Sequence, residues 1–312
     1  NDAGQRLDKF LTKYLVNMPQ SMLYKSLRKN CVRVNGKHIK DGKYMLQNGD
    51  VLKLFFKDEF YESKSSFKAG NSDIDVVYED ENIILINKES GVVVHSDDKG
   101  TKDTLLERMQ SYLYKKGEYN PENEHSFSPS FCNRLDRNTS GLIVAGKSIK
   151  GLQSMNELFR ERKLKKYYLC IVKGKITKFK RIDGYLTKNE NHNTVTISDK
   201  MSEGAHRIIT EYEPLGQGMF HDGYYTLLKV HLVTGKSHQI RAHLKSIGHP
   251  IIGDSKYGYK DVYKIFRKEF GLRHQLLHAW RLKLGNDEKV PEKYRDKVFE
   301  AALPDEFLNI LK

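Results

Sequence analysis

Apolar residues recur at helical spacing over 6–16, RLDKFLTKYLV, where Leu7, Phe10, Leu11, Tyr14 and Leu15 share one face. Ser21 reads as the N-cap of a second helix, SMLYKSLRKN. In CVRVNGKHI two short strands flank Asn35-Gly36, a pair that favours a tight hairpin turn, and a further strand over 51–56 follows the turn QNGD. Periodicity lapses over 57–72, KDEFYESKSSFKAGNS, which reads as a linker. Beyond it, IDVVYEDENIILINK predicts a strand, an acidic turn and a more apolar strand with Ile83, Ile84, Leu85 and Ile86 in the core. A helix follows over 104–114, then a polar loop over 115–130. The run 142–145 is a short buried strand, and 148–163 is a helix with Leu152, Met155, Leu158 and Phe159 turned inward. Next comes the strand KKYYLCIVKG. Four further strand segments, RIDGYL, TVTIS, HRIITEYEPL and YYTLLKVHLV, are joined by short segments, so they pair antiparallel. A helix starts near Ser237, and a last strand, RHQLLHAWRLKL, carries the only tryptophan, Trp280.

The chain has 312 residues, comfortable for two domains. Apolar residues make up 38% and charged residues 30%, enough for a core and for solubility. Lys and Arg number 54 against 40 Asp and Glu, a net charge of +14, which points to a polyanionic partner such as nucleic acid. A membrane partner would need a basic amphipathic helix, a lipid signal or a spanning apolar run, and none is found, nor is a signal peptide. The chain opens on Asn1, so the natural start can lie upstream. Three cysteines, Cys31, Cys132 and Cys170, form neither a zinc pattern nor a disulfide framework, and a reducing cytoplasm fits them. On the second helix Lys25, Arg28 and Lys29 share a face. That stripe is a solvated face in the plain reading and a phosphate-tracking surface in the functional one.

The densest chemistry lies at 133–148, NRLDRNTSGLIVAGKS. One carboxylate, Asp136, stands between Arg134 and Arg137, before two hydroxyls and a glycine turn, Gly141, that feeds the buried strand. Taken alone this is a surface ion-pair turn or a carboxylate held in one position for chemistry. His238 and His243 lack the spacing and the glutamate of a zinc-protease helix. No phosphate loop, dinucleotide fingerprint or G-x-S-x-G occurs.

RLDRNTSGL closely resembles the signature of the Rlu-type pseudouridine synthases, which modify ribosomal large-subunit and transfer RNA. The resemblance makes Asp136 the catalytic residue; Asn133 stands where that family often has His. NKESGVVVH resembles the family's first motif, KKYYLCIVKG its second, and TGKSHQIRAHLKSIGHPIIGD its third, in the family's order. They imply that Tyr168 is the active-site tyrosine, with Tyr167 the alternative if the register slips by one. They also imply that Arg241 pairs with Asp136, that Ile240 walls the substrate pocket, and that Lys236 replaces a common Arg. RLDKFL and VRVNGK make 6–56 similar to the S-four-type RNA-binding domain, with Lys25, Arg28, Lys29, Arg33 and Lys37 toward RNA. Arg134 and Lys236 would join them from the larger part. The implied fold is α+β: a mixed, largely antiparallel central sheet with flanking helices, plus a small N-terminal RNA-binding module. The expected division is 1–56, a linker over 57–72, and a catalytic domain over 73–312.

Isomerising uridine needs the glycosidic bond cut, the base turned, and a new bond from ring carbon five. The uridine must leave its stack, and one carboxylate must act as nucleophile or base. No metal, nucleotide or redox cofactor is called for, and no obligate protein partner is evident. The expected partner is RNA, in the first place 23S-type ribosomal RNA. The competing readings are a synthase acting on transfer RNA, a catalytically silent RNA-binding or ribosome-assembly factor, and a glycosidase or nuclease. A glycosidase wants paired acids and a metal nuclease an acidic cluster, and one acid among bases fits neither.

Overall fold

The computed structural model describes residues 3–61, 67, 69–96, 100–122, 124, 126–189, 194–221 and 223–311. The N-terminal part holds α1 (Leu7–Tyr14), α2 (Gln20–Arg28), β1 (Val32–Val34), β2 (Lys37–His38) and β3 (Leu52–Leu54), the strands ordered β2-β1-β3. Its core is the predicted helical stripe: Leu7, Phe10, Leu11 and Leu15 pack on Leu23, Leu27, Val32 and Val34. Asn35 and Gly36 both take positive φ, as the tight hairpin requires, and the Asn35 side chain bonds Asp50 and the Val51 N–H. Two expectations fail here. Pro19, not Ser21, precedes α2; its carbonyl accepts from the Met22 and Leu23 N–H groups, and a residue without its own N–H loses nothing at a helix start. The strand expected over 51–56 is only Leu52–Leu54. Phe60 and Tyr61, from the stretch read as a linker, pack against this core.

The rest contains β4 (Val76–Glu79), β5 (Ile83–Lys88), α3 (Leu105–Lys115), β6 (Ser130–Phe131), β7 (Ser140–Gly146), α4 (Ile149–Arg160), β8 (Leu164–Lys173), β9 (Lys180–Asn189) and β10 (Thr194–Ser198). It continues through β11 (His206–Phe220), β12 (Gly223–Leu232), α5 (Gln239–Ser246), α6 (Lys260–Phe270), β13 (Leu277–Leu284), β14 (Val298–Glu300) and α7 (Asp305–Leu311). These strands form one sheet ordered β10-β9-β11-β12-β8-β13-β7-β5-β4, with β6 on β7 and β14 on β13. The only parallel pairing among the described strands is β13 with β7, through His278↔Ser140 and Ala279↔Gly141. The protein is therefore α+β with a largely antiparallel sheet.

Alternation along β8 sorts the layers. Tyr168, Cys170 and Val172 pack under Ile240 and Leu244 of α5. Leu169 and Ile171 on the opposite face meet Phe266 of α6 and Phe307 of α7. Met155 and Leu158 of α4 cover Leu164, Val144 and Leu282, and α3 covers Ile84, Ile86 and Ile143. The helix start at Thr104 is fixed by a reciprocal bond pair with Glu107.

Gly141 is not the turn glycine it resembles in sequence. It lies inside β7 at φ 106°, and a Cβ there would stand 2.3 Å from the Ala279 carbonyl oxygen. The close parallel approach of β7 and β13 thus requires glycine.

Candidate active site

Asp136 sits in the loop between β6 and β7, held from three sides. Its carbonyl accepts the Thr139 N–H at 3.0 Å, and Thr139 Oγ1 accepts from Gln275 Nε2 at 2.9 Å. Ser140 Oγ bonds His278 Nδ1 at 2.8 Å. The Arg137 carbonyl accepts from Gly91 N and from Lys88 Nζ, at 2.9 and 2.8 Å. Asn133 Oδ1 accepts the Val144 N–H of β7 at 2.9 Å.

Lys88 is 1% exposed and also donates to the carbonyls of Glu89 and Val92. Three acceptors match the three donors of an ammonium. Burial pushes its pKa down to about 7, against the raising effect of the Asp136 charge.

Arg241 projects from α5, which begins at Gln239, two residues after Ser237. Gln239 folds back over the preceding loop: its Oε1 accepts from Thr234 Oγ1 and the Lys236 N–H, and its Nε2 donates to the Ile209 carbonyl. The Arg241 side chain is 6% exposed. Its Nη1 donates to Asp136 Oδ2 at 2.7 Å. The bidentate fork goes elsewhere: Nε and Nη2 bond the two oxygens of Asp254 at 2.7 and 2.9 Å. Asp254 is fully buried at its side chain and accepts the Lys256 and Tyr257 N–H groups as well. Burial raises its pKa, but the Arg241 bonds and charge and the two backbone donors outweigh that and hold it below the ordinary carboxylate range. For Arg241, burial works to lower the pKa, and Asp254 and Asp136 raise it overall.

Asp136 keeps a side-chain exposure of 26%, so the carboxylate reaches solvent. Nε2 of His238 lies 3.9 Å from its Oδ2, while Nδ1 bonds the Tyr257 hydroxyl at 3.0 Å. Burial lowers the His238 pKa and the Asp136 charge opposes it. The Tyr257 ring lies 5.1 Å beneath the Arg241 guanidinium. Of the paired tyrosines, Tyr168 is buried on the Asp136 side; burial, then the Asp136 charge, raises its phenol pKa. Tyr167 is on the other face, stacked on His231 with ring centroids 5.0 Å apart. Ile240 is buried beside Tyr168 and Ala279.

The structure thus brings together Asp136, Tyr168, Ile240 and Arg241. Arg134 and Lys236 are exposed on the loops leading into these elements. Lys25, Arg28, Lys29 and Lys37 are exposed on the N-terminal part, and Arg33 lies half-buried with its guanidinium 5.8 Å from the Phe55 ring. Sequence reasoning gave no part in the site to Lys88, His238, Asp254 or Tyr257, although Lys88 falls in the first motif and His238 in the third. The string GHPIIGD ends on Asp254, the only signal for it, and nothing local says that it faces Arg241.

The RNA pseudouridylate synthase family model matches residues 82–246, and the S4 domain model matches 5–52. The ribosomal large subunit pseudouridine synthase C of Haemophilus influenzae is 31% identical, over all of this chain and 92% of its own. Its namesake in Vibrio parahaemolyticus is 31% identical over 92% of this chain and 87% of that one. The human RNA pseudouridylate synthase domain containing 1 superposes with a TM-score of 0.58 over 79% of this chain and 89% of that one, at 23% identity, a likeness of fold. Among the described residues no helix is long and apolar enough to cross a membrane. The match across more than half of the chain, on the segment that carries Asp136, Tyr168 and Arg241, shows that this chain belongs to the RNA pseudouridylate synthase family.

Proposed function

We propose that this enzyme isomerises specific uridines of ribosomal large-subunit RNA to pseudouridine, with Asp136 as the catalytic carboxylate. The observation that carries the reading is the buried Asp254–Arg241 fork, which leaves one guanidinium N–H on Asp136 at 2.7 Å. In the reaction the bond from N1 of uracil to C1′ breaks and a bond from C5 to C1′ forms. The C5 proton leaves, and N1 takes one up. Attack on the sugar and proton abstraction both need a carboxylate with a lone pair facing the substrate. Asp136, one oxygen tied to Arg241 and the group partly exposed, meets that need. Tyr168, its hydroxyl kept protonated by burial and by the Asp136 charge, serves as the platform for the flipped base, and Ile240 walls the pocket.

Residues 1–56 act as an RNA-gripping module through Lys25, Arg28, Lys29, Arg33 and Lys37, with Arg134 and Lys236 beside the active site; 57–72 link it to a catalytic domain over 73–312. The large-subunit target follows the names of the relatives above, and three free cysteines suit a reducing cytoplasm. The test is single-turnover pseudouridine formation at saturating enzyme, on unmodified large-subunit ribosomal and transfer RNA transcripts, with Asp136→Asn beside the wild type. Modification of the ribosomal transcript, abolished in Asp136→Asn with RNA binding intact, supports the reading. Modification of transfer RNA alone would move the substrate, and near-normal rates in Asp136→Asn would end the assignment of the carboxylate.

A further inference from the structure

Most buried or half-buried lysines of this protein meet an acceptor. Lys88 has three carbonyls, Lys147 bonds Glu79 and Glu118, Lys163 bonds Asp287, and Lys229 bonds Glu213. Lys166, Lys173 and Lys245 are half-buried, and their ammonium groups have no acceptor among the described residues. Lys166 stands by itself, whereas Lys173 and Lys245 meet. Their Nζ atoms lie 4.8 and 4.0 Å from the centre of one ring, that of Tyr259, a residue 41% exposed. No other ring among the described residues has two cations over it.

The backbone around them fixes where the two lysines stand. Lys173 ends β8; its carbonyl accepts from His249 Nδ1 at 2.9 Å, and its N–H donates to the Pro250 carbonyl at 3.1 Å. These bonds tie the end of the strand to the segment that leaves α5, and Lys245 lies in the last turn of that helix. Lys245 follows Arg241 by four residues, so it shares that helix face about 5–6 Å farther on. Tyr259 follows Tyr257, whose ring lies beneath the Arg241 guanidinium. The pair therefore stands beside the group that holds Asp136. Asp254, the acid of the turn before Tyr259, is buried in the Arg241 fork and does not serve the lysines.

We infer that Lys173 and Lys245, oriented by the Tyr259 ring, form a subsite for one backbone phosphate of the RNA strand next to the target uridine. The inference rests on the RNA-modifying reading above. Two ammonium groups this close repel, and a ring face attracts each of them only weakly. An anion that bridges them removes the repulsion, provided that it reaches both. A phosphodiester carries one full charge on two non-bridging oxygens, one for each ammonium. Because the lysines lie over the ring, Tyr259 holds them in place rather than stacking a base. A phosphate gripped there pins the strand one helical turn from Arg241, and so sets which nucleotide reaches Asp136.

The test uses the full chain with a twelve-nucleotide oligouridylate and a copy of the same length in which hydrogen replaces every base. Lys173→Gln combined with Lys245→Gln should weaken binding of both probes about tenfold at low salt. It should also make the salt dependence shallower by about 0.7 in the log–log slope, the value for one phosphate on a single strand. Tyr259→Leu changes no charge and should weaken binding of both probes about threefold, while Tyr259→Phe should bind as wild type does. Lys264→Gln combined with Lys268→Gln removes the same charge from exposed positions farther along α6, and should leave affinity and slope unchanged. Should the lysine double variant fold poorly by circular dichroism, Lys173→Met with Lys245→Met takes its place. Unchanged affinity and slope in that double variant, or an equal loss in the α6 control, overturns the subsite. A slope change of about 1.4 also overturns it, since the lysines would then hold two separate phosphates. So does a Tyr259→Leu loss confined to the probe with bases, which would make the ring a stacking platform. Pseudouridine formation by wild type on ribosomal transcript is read separately. Its failure would count against the proposed function, whereas normal turnover with a silent lysine pair counts against the subsite alone.

Discussion

Asp254 is buried against Arg241, and on the proposed mechanism turnover should depend on it. Asp254→Asn keeps the shape and removes one charge. The amide offers one oxygen and turns its NH2 toward a guanidinium N–H, so the bidentate fork becomes one bond and one donor–donor clash. Arg241, 6% exposed at its side chain, is left with Asp136 as its only carboxylate. Breaking a buried ion pair from one side costs about 3–5 kcal/mol. For a domain of this size that is a drop of roughly 10 °C in Tm. Freed from Asp254, the guanidinium swings, and Asp136 moves with it. A misplacement of about 1 Å at a reacting group costs about 10²-fold in rate. RNA affinity should change little, because Asp254 is buried away from any surface. Arg241→Lys should also be impaired, since an ammonium cannot span two carboxylates, and the double variant should be little worse than either single one. The assays are thermal melting, equilibrium binding of a ribosomal transcript, and single-turnover pseudouridine formation. A variant that loses stability as expected but turns over within about threefold of wild type would show that Arg241 holds Asp136 without help, and the positioning argument would fall.

Tyr168→Phe should lower turnover more than Tyr167→Phe, measured at saturating RNA with both variants folded, because only Tyr168 lies on the Asp136 side of β8. The reverse order would contradict the assigned facing. Neutralising Lys25, Arg28 and Lys29 together should flatten the salt dependence of RNA binding and leave the saturated single-turnover rate unchanged; a lost rate would give these residues a part in the chemistry. His243 and His278 are fully buried, and burial lowers both to about 4 from an ordinary 6.5. Between those values the unfolded chain binds more protons, so their contribution is present above about pH 6.5 and is lost as pH falls toward 4. Each should cost about 2 kcal/mol by pH 5, read from denaturant titrations at about pH 7 and 5. A flat profile over that window would refute the neutral burial of these rings.

Local order was legible wherever one period or one turn decides it. The stripe at Leu7, Phe10 and Leu11, the Asn35-Gly36 turn and the alternation through β11 and β12 each carry their structure within a few residues. Ser21 misled because cap preference says which residue can start a helix, while Pro19 upstream sets where the chain first can. Gly141 misled because a glycine at φ 106° in a strand looks like a turn glycine until its neighbour Ala279, far along the chain, is known. The same holds in the site. Asp136 and Arg241 could be paired only through motifs, and Asp254 and Lys88 were invisible: a buried aspartate or lysine is spelled like an exposed one. The ion pairs of this site join residues 13 and 105 positions apart, beyond the reach of any periodic signal.

The placement of β13 has a consequence for how the protein is made. Strands β7, β5 and β4 lie on one side of it and β8, β12, β11, β9 and β10 on the other, and β7 does not pair with β8. A chain emerging from the ribosome therefore holds two half-sheets, each with a bare edge, until residues near 280 appear. The loop of Asp136 is bolted down by Gln275 and His278, so it too waits for them. Such long-range closure is slow, and open edges invite pairing with other chains. The nascent chain accordingly has no assembled catalytic loop and is most prone to aggregate until β13 is added, so a premature stop before residue 277 should yield insoluble protein rather than a weak enzyme.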